Sequence, residues 1–168
     1  VNTGLLFTRI MDMKKQSSSS ILSKAASRMT HPVKSALGHV LDSLHTRNYD
    51  EDQFIKVQEA VMMLFIFVMR ADGEVKDSEV EMVAGYFKEK YGQNAVSRFR
   101  VLIQLKDSDS IKEVCHCLDA FSESEKEKIV AALLNAAYSD GLYKSEEKAV
   151  IAEISSHLGI SEEVLELA

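Results

Sequence analysis

The stretch MRADGEVKDSEVEMV, residues 69–83, is matched without gaps by AYSDGLYKSEEKAVI, residues 137–151. Each stretch follows a long apolar segment and carries Asp-Gly, then a lysine, a glutamate and two apolar residues at equivalent positions. A helix that stops at glycine, a short loop and a second helix account for this order of residue types. The duplication predicts an all-helical fold built around two related helix hairpins.

The composition of the chain also favours an all-α fold. Its 168 residues include one proline and seven glycines, and 46% are hydrophobic. A β-sandwich or barrel needs more turn residues, whereas long helices need few. The helix predicted from Phe54 to Ala71 is apolar on all sides in its later part, so we expect it to lie at the centre of the domain.

Polar residues mark the expected starts of other helices. Asp77, or Ser78 beside it, and Ser145 are predicted to be N-caps after the two junctions. Ser122, followed by Glu125, has the pattern of a capping box. Residues 1–30 are interpreted as a leader (an arm, a short helix or a disordered segment), and residues 31–168 as the helical domain. Further helices are predicted over residues 33–45, 94–105 and 110–121, and from Ser161 onward.

Ordinary helix-hairpin sequence preferences explain part of each junction. Gly73 and Gly141 suit the left-handed backbone that ends a helix. Glu79 and Glu147 fall in the first turn of the following helix, where the helix dipole favours an acid by ~0.3–1 kcal/mol. On this interpretation the junctions require no ligand.

Asp72 and Asp140 fit that interpretation less well. An acid at a helix C-terminus faces the negative end of the dipole, although aspartate can also cap its own turn. If the hairpins pack about a pseudo-twofold axis, both aspartates can converge with Glu79 and Glu147 into one acidic cluster. Calcium and magnesium take oxygen ligands of this kind, so the four residues are candidate metal ligands. The pattern lacks the alternating acids of an EF-hand loop.

The two junctions resemble the signature of a known family. ADGEVKDSEVEMV (71–83) and AAYSDGLYKSEEKAVIAEISSHLGIS (136–161) are similar to the TerB-like (tellurite resistance) family, over roughly residues 54–168. The family implies a helical bundle with pseudo-twofold halves and a non-enzymatic module in tellurite-type stress responses, acting through protein partners. It also implies divalent metal binding at Asp72, Glu79, Asp140 and Glu147.

The second stretch also resembles the TerB-like region of DjlA-type DnaJ co-chaperones. The alternative function is therefore a regulatory, partner-binding domain of such a co-chaperone that uses no metal. The His-Pro-Asp motif of a J domain does not occur in this chain, since His31-Pro32 is followed by Val33.

The charge pattern argues against nucleic acid as a partner. The formal net charge is -6 and the pI is about 5.4, so there is no broad basic surface for phosphates. Lys14, Lys15, Lys24 and Arg28 make the leader basic against an acidic body. That asymmetry is compatible with self-association or with contact at a membrane surface, although a basic arm without a single target is the simpler interpretation.

No set of residues for catalysis, secretion or a membrane span stands out. Cys115-His116-Cys117 lacks a second cysteine or histidine pair for zinc, and helical spacing points the two cysteines apart, so we expect a buried Cys115 and an exposed His116. No phosphate-binding loop or nucleophile motif is present, and we expect no enzymatic activity.

The longest apolar run, residues 60–69, is half of the ~20 residues that span a membrane. A cytoplasmic location is expected.

Overall fold

The computed structural model describes Gly38, Asp42 and residues 47–105, 109–138 and 143–161. These ranges contain six helices and no strand, which confirms the all-α prediction. The predicted leader, the helix after Ser161 and most of the helix over residues 33–45 lie outside the described residues, although Gly38 and Asp42 are helical. The six helices are α1 (Glu51–Met69), α2 (Asp77–Tyr91), α3 (Gln93–Gln104), α4 (Ile111–His116), α5 (Glu123–Ala137) and α6 (Ser145–Leu158).

Helix α1 begins earlier than the sequence pattern predicted. Asp50 is its N-cap and accepts a 2.8 Å hydrogen bond from the backbone N–H of Gln53, while the Gln53 side chain accepts the Asp50 N–H at 3.2 Å. This capping box places Glu51 and Asp52 in the first turn, where acids are favoured. The helix predicted from Phe54 therefore begins three residues earlier, at Glu51.

The centre of the molecule is the second half of α1. Every side chain from Ala60 to Met69 is buried except that of Phe67, which is half-buried. Helix α1 contacts α3, α4, α5 and α6, so its apolar surface is covered on several sides. The predicted central position of this helix is confirmed, and full burial of each large apolar side chain stabilises the fold by about 1.5–3 kcal/mol.

The other helices pack around α1 in two unequal groups. Helix α2 packs against α3, and Gly92 joins them with a φ of +82°. The rings of Phe87 and Phe99 meet between these two helices, with centroids 5.8 Å apart. Helix α6 packs against both α4 and α5. None of the helices in the described part of the chain is long and apolar enough to cross a membrane.

Helix α4 is shorter than the predicted span of residues 110–121. Ser110 caps it by accepting the N–H of Glu113, and the helix ends at His116. The chain then continues in tight turns, in which Leu118 and Phe121 donate to carbonyls three residues back. The Ser122 capping box at the start of α5 is confirmed, with the Glu125 N–H donating to Ser122 Oγ at 3.2 Å.

The predicted caps of α2 and α6 are wrong by one residue. Lys76 and Lys144 are the N-caps, with extended backbones at ψ of 138° and 151°, and Asp77 and Ser145 are the first helical residues. The cause is the glutamate at the third helical position, whose carboxylate accepts the N–H of the capping lysine. That backward hydrogen bond satisfies the start of the helix without a short polar side chain at the cap.

Candidate functional site

Asp72 lies in the turn that follows α1. The helix ends at Met69, and Gly73, with a φ of +84°, closes the turn by donating to the carbonyl of Arg70 at 2.9 Å. Asp72 Oδ1 accepts the backbone N–H of Glu74 at 3.1 Å. The local capping role that the sequence allowed for this aspartate is therefore present, and so is the predicted left-handed glycine.

The second carboxylate oxygen of Asp72 contacts the other junction. Lys144 Nζ donates to Asp72 Oδ2, and the two side chains retain 32% and 14% of their exposure. The Lys144 ammonium, together with the Glu74 N–H, lowers the pKa of Asp72 below its ordinary value. An ion pair thus connects the turn after α1 to the cap of α6, which are remote in sequence.

Glu79 and Glu147 occupy equivalent positions at the two helix starts. Each accepts the N–H of the lysine three residues before it, at 3.3 Å from Lys76 and 3.2 Å from Lys144. Glu147 is 4% exposed, whereas Glu79 is half-buried. Both line one small cavity, whose other walls are apolar side chains of α1, α2 and α5. The structure therefore brings the two helix starts together.

The donor chemistry of this region suits a hard cation, but the described donors are not assembled to hold one. Asp72 engages an N–H and an ammonium, and both glutamates accept backbone N–H groups. Within residues 47–105, 109–138 and 143–161, no three His, Cys, Asp or Glu side chains are grouped closely enough for a metal ion. Asp140, the fourth predicted ligand, and Gly141 lie outside the described residues.

The two junctions differ in the residues that surround the acids. Arg70, after α1, donates to the carbonyls of Leu102 (3.3 Å), Ile103 and Leu105 (2.9 Å) and so satisfies the C-terminus of α3. At the equivalent place after α5, the Tyr138 ring packs against that of Tyr143 at an angle of 45°, with centroids 4.4 Å apart. The first junction is thus secured by polar contacts and the second by aromatic ones.

Burial dominates the electrostatics of the two tyrosines. It raises the pKa of Tyr138 to about 12, and it raises the pKa of Tyr143 with a further contribution from the nearby negative charge of Glu147. Both phenols are therefore neutral at physiological pH.

Lys144 is the residue of this site that sequence reasoning did not assign. The two lysines of the repeat, Lys76 and Lys144, occupy matching positions, and that match was the available signal. A lysine in a loop is ordinarily a solvated surface residue, so its role as the partner of Asp72 was not predicted. The sequence predicted a divalent cation at Asp72, and the charged group that the structure shows beside this aspartate is the Lys144 ammonium.

The Cys-His-Cys triplet is arranged as predicted. Cys115 is buried with its Sγ 3.9 Å from the carbonyl oxygen of Ile154, while the His116 side chain is 83% exposed. Burial raises the pKa of the Cys115 thiol to about 12, so this thiol stays protonated. Cys117 is half-buried, and neither cysteine forms a disulfide.

Comparison with known protein families agrees with this architecture. The family model of the tellurite resistance protein TerB matches residues 58–168, which includes both junctions and all six helices except the start of α1. The chain belongs to the TerB family. Searches of curated proteins and of solved structures found no significant match.

Proposed function

We propose that this chain is a non-enzymatic module of a tellurite-type stress response in the cytoplasm. In this proposal it binds a divalent cation, calcium or magnesium, at Asp72, Glu79, Asp140 and Glu147, and it acts on a protein partner. The observation that supports the cation site best is the cavity shared by Glu79 and Glu147. Family membership adds support, because it covers both copies of the acidic motif.

The electrostatic argument for a cation rests on the cost of placing acids together. Glu147 is almost completely buried, and Glu79 and Asp72 belong to the same pair of junctions. Acids at two adjoining junctions make the local potential negative, and the Lys144 ammonium at Asp72 already supplies one positive charge there. A divalent cation supplies two positive charges and prefers carboxylate oxygen.

The experiment is a titration of calcium, magnesium, manganese and zinc that follows the melting temperature. A ligand that binds only the folded state stabilises it by about 2.7 kcal/mol at a hundred times its dissociation constant. We expect one hard cation to raise the melting temperature of the wild-type chain. The Asp72→Asn plus Asp140→Asn variant should lose that increase.

The matched control for this titration is Asp77→Asn plus Glu146→Gln. It removes the same amount of charge from exposed first-turn positions of α2 and α6. It should keep the cation response. An absence of any response up to millimolar concentrations of all four ions would contradict the proposed cation site.

The partner-binding half of the proposal has support on the surface of α3. Val101 on α3 and Leu105, the residue that caps the C-terminus of this helix, are four residues apart and 60% and 46% exposed. A photo-crosslinking residue at position 101 should give a discrete protein adduct that Leu105→Ser weakens. The same residue at exposed Lys112 on α4 is the control. Equal labelling at both positions would contradict a partner on this face.

The alternative, a regulatory domain of a DjlA-like co-chaperone without metal, stays a prediction from the sequence. It gives a different outcome in the titration, since no divalent cation would then raise the melting temperature of the wild-type chain.

A further inference from the structure

The side chain of Arg47, four residues before the start of α1, is held at the turn between α4 and α5. Its Nη1 donates to the carbonyl oxygen of Ala120 at 3.2 Å, and its Nη2 donates to Glu125 Oε1 at 2.5 Å. The guanidinium carbon lies over the Phe121 ring, 4.6 Å from the ring centroid. A carbonyl, a carboxylate and an aromatic face therefore converge on one guanidinium group.

This set of partners matches the properties that distinguish a guanidinium from an ammonium. A guanidinium has several N–H donors in one plane, so two of its nitrogens can bind two different oxygens at once. Its flat face also packs on an aromatic ring, and the ring attracts its positive charge. An ammonium is a compact point charge without a flat face. The arrangement at the α4–α5 turn therefore favours arginine over lysine.

The acceptors of this contact are held in place by the domain itself. Glu125 accepts the backbone N–H of Ser122 at 3.2 Å, as part of the capping box that starts α5. Phe121 is only 4% exposed, so its ring is packed into the core. Neither feature depends on the guanidinium, and we expect both to persist when Arg47 is absent.

Arg47 is the part of the contact that can leave. Residues 47–50 are not helical, and the Arg47 side chain is 23% exposed. Its partners lie within residues 58–168, which the TerB family model matches, whereas Arg47 precedes that range. The acceptors thus belong to the family domain, and the guanidinium is supplied by the chain in front of it.

We propose that the α4–α5 turn is a binding site for an arginine side chain, and that Arg47 fills this site as a ligand from the same chain. An arginine presented by a protein partner must displace Arg47 to enter, so the contact is autoinhibitory. The inference deepens the partner-binding half of the proposed function and rests on it for the existence of a partner. It involves no divalent cation.

The exchange of one arginine for another restores every contact of the site. The barrier to the exchange is therefore the tethering of Arg47, which gives its guanidinium a high effective concentration at the site. A free arginine competes poorly against a tethered one. A partner that also binds elsewhere on the domain gains the same tethering advantage and can replace Arg47.

Chemical rescue tests the chemistry of the site. Arg47→Ala vacates it, and methylguanidinium is titrated into this variant while the melting temperature is followed. We expect a rise of roughly 2–4 °C at about five times the dissociation constant of methylguanidinium. Methylammonium at the same ionic strength should give no rise. The wild type, whose site is filled, measures the general destabilising effect of guanidinium ions.

Two further variants make the rescue specific. Glu125→Gln, added to Arg47→Ala, removes the carboxylate and should abolish the rise. Arg100→Ala is the matched control, because Arg100 pairs with Glu81 at 2.7 Å on the surface, where the two side chains are 48% and 65% exposed. It should show no rescue. If Arg47→Ala does not fold, Arg47→Lys replaces it, since lysine keeps a charged stem but lacks the planar fork.

The affinity for a capped arginine tests whether Arg47 competes for the site. In an NMR titration, N-acetyl-arginine amide should shift the resonances of Phe121 and Glu125 in Arg47→Ala. The wild type should bind this compound at least about tenfold more weakly, because its site is open for only a small fraction of the time. N-acetyl-lysine amide should bind neither protein tightly.

The outcomes separate the site, the competition and the proposed function. Rescue by methylguanidinium alone, with weaker binding of the capped arginine by the wild type, supports the inference. Equal responses to methylguanidinium and methylammonium, or no response of Arg47→Ala, overturn the site. Equal affinity of both proteins for the capped arginine overturns the competition. The cation titration and the crosslinking at position 101 are independent of these results, so either proposal can fail without the other.

Discussion

At the scale of single residues, Asp72 has the local capping role that its sequence position allowed and also a charged partner that the sequence analysis did not predict. One oxygen caps its own turn through the Glu74 N–H, as a helix-hairpin residue does. The other oxygen pairs with Lys144, which local hairpin preferences do not require. The unfavourable dipole position of this acid is thus compensated by a charge from the second half of the chain.

Replacement of Asp72 by asparagine should make the free energy of unfolding depend less on pH in the acidic range. Because the folded pKa of Asp72 is lowered, its contribution to stability is present above the unfolded value of about 4 and is lost as the pH falls through the folded value. The free energy of unfolding of the wild type should therefore exceed that of Asp72→Asn at pH 7, and the gap should shrink below about pH 4. Urea unfolding between pH 7 and pH 3 measures it, with Asp77→Asn as the charge control. A gap that is constant over this range would contradict the role of the ion pair.

Residue chemistry predicted the acids of the site better than their partners. Asp72, Glu79 and Glu147 were identified because the repeat places them at equivalent positions, and two of them line a common cavity. Lys144 was not assigned, since a pairing between residues this far apart depends on how the hairpins dock. No local pattern carries that information.

At the scale of helices, the spacing of apolar residues predicted that α2 and α6 exist, but it did not predict the residue at which each helix begins. The presence of α2 and α6 followed from their apolar spacing, but each begins after a lysine cap that the sequence rules did not select. The glutamate three residues on accepts the backbone N–H of each capping lysine, which is the backward hydrogen bond of a capping box. Helix starts depend on such short-range alternatives, so a one-residue error is characteristic of sequence reasoning.

Two glycines should respond to alanine in opposite directions. Gly73 has a φ of +84° and nothing within 4 Å of an added Cβ, so Gly73→Ala should lower the free energy of unfolding by about 1–2 kcal/mol through backbone strain alone. Gly85 lies within α2 with equal space around it, so Gly85→Ala should raise that free energy by about 0.5–1 kcal/mol. Equilibrium denaturation of both variants measures these changes. Destabilisation of similar size at both positions would contradict the assigned conformations.

At the scale of the whole molecule, both halves of the sequence repeat share one core. Helix α1 belongs to the first half and contacts α5 and α6 of the second. Its central place was predictable because its later residues are apolar on all sides. Helix α2 packs on α3, whereas α6 packs on α4 and α5, and this difference was not predictable from the two related junction sequences.

Replacing a large side chain of α1 by alanine should lower the stability of the protein much more on the buried face of the helix than on its half-buried face. Phe65 is 1% exposed, and Phe65→Ala should cost about 3–5 kcal/mol of stability through lost burial and a residual cavity. Phe67, two residues on, is half-buried, and its alanine variant should cost clearly less. The midpoints of guanidinium unfolding compare the two. Equal losses would show that α1 is not oriented as described.

The ion pair between Asp72 and Lys144 also has a kinetic meaning. It joins residues 72 positions apart, and closing so long a loop is slow and entropically unfavourable until other contacts hold the ends together. We therefore expect this contact to form after α1, α5 and α6 have docked. During refolding, the Lys144 amine should become protected from chemical labelling only in the final stage of assembly. This protection should appear later than the circular dichroism signal of the helices.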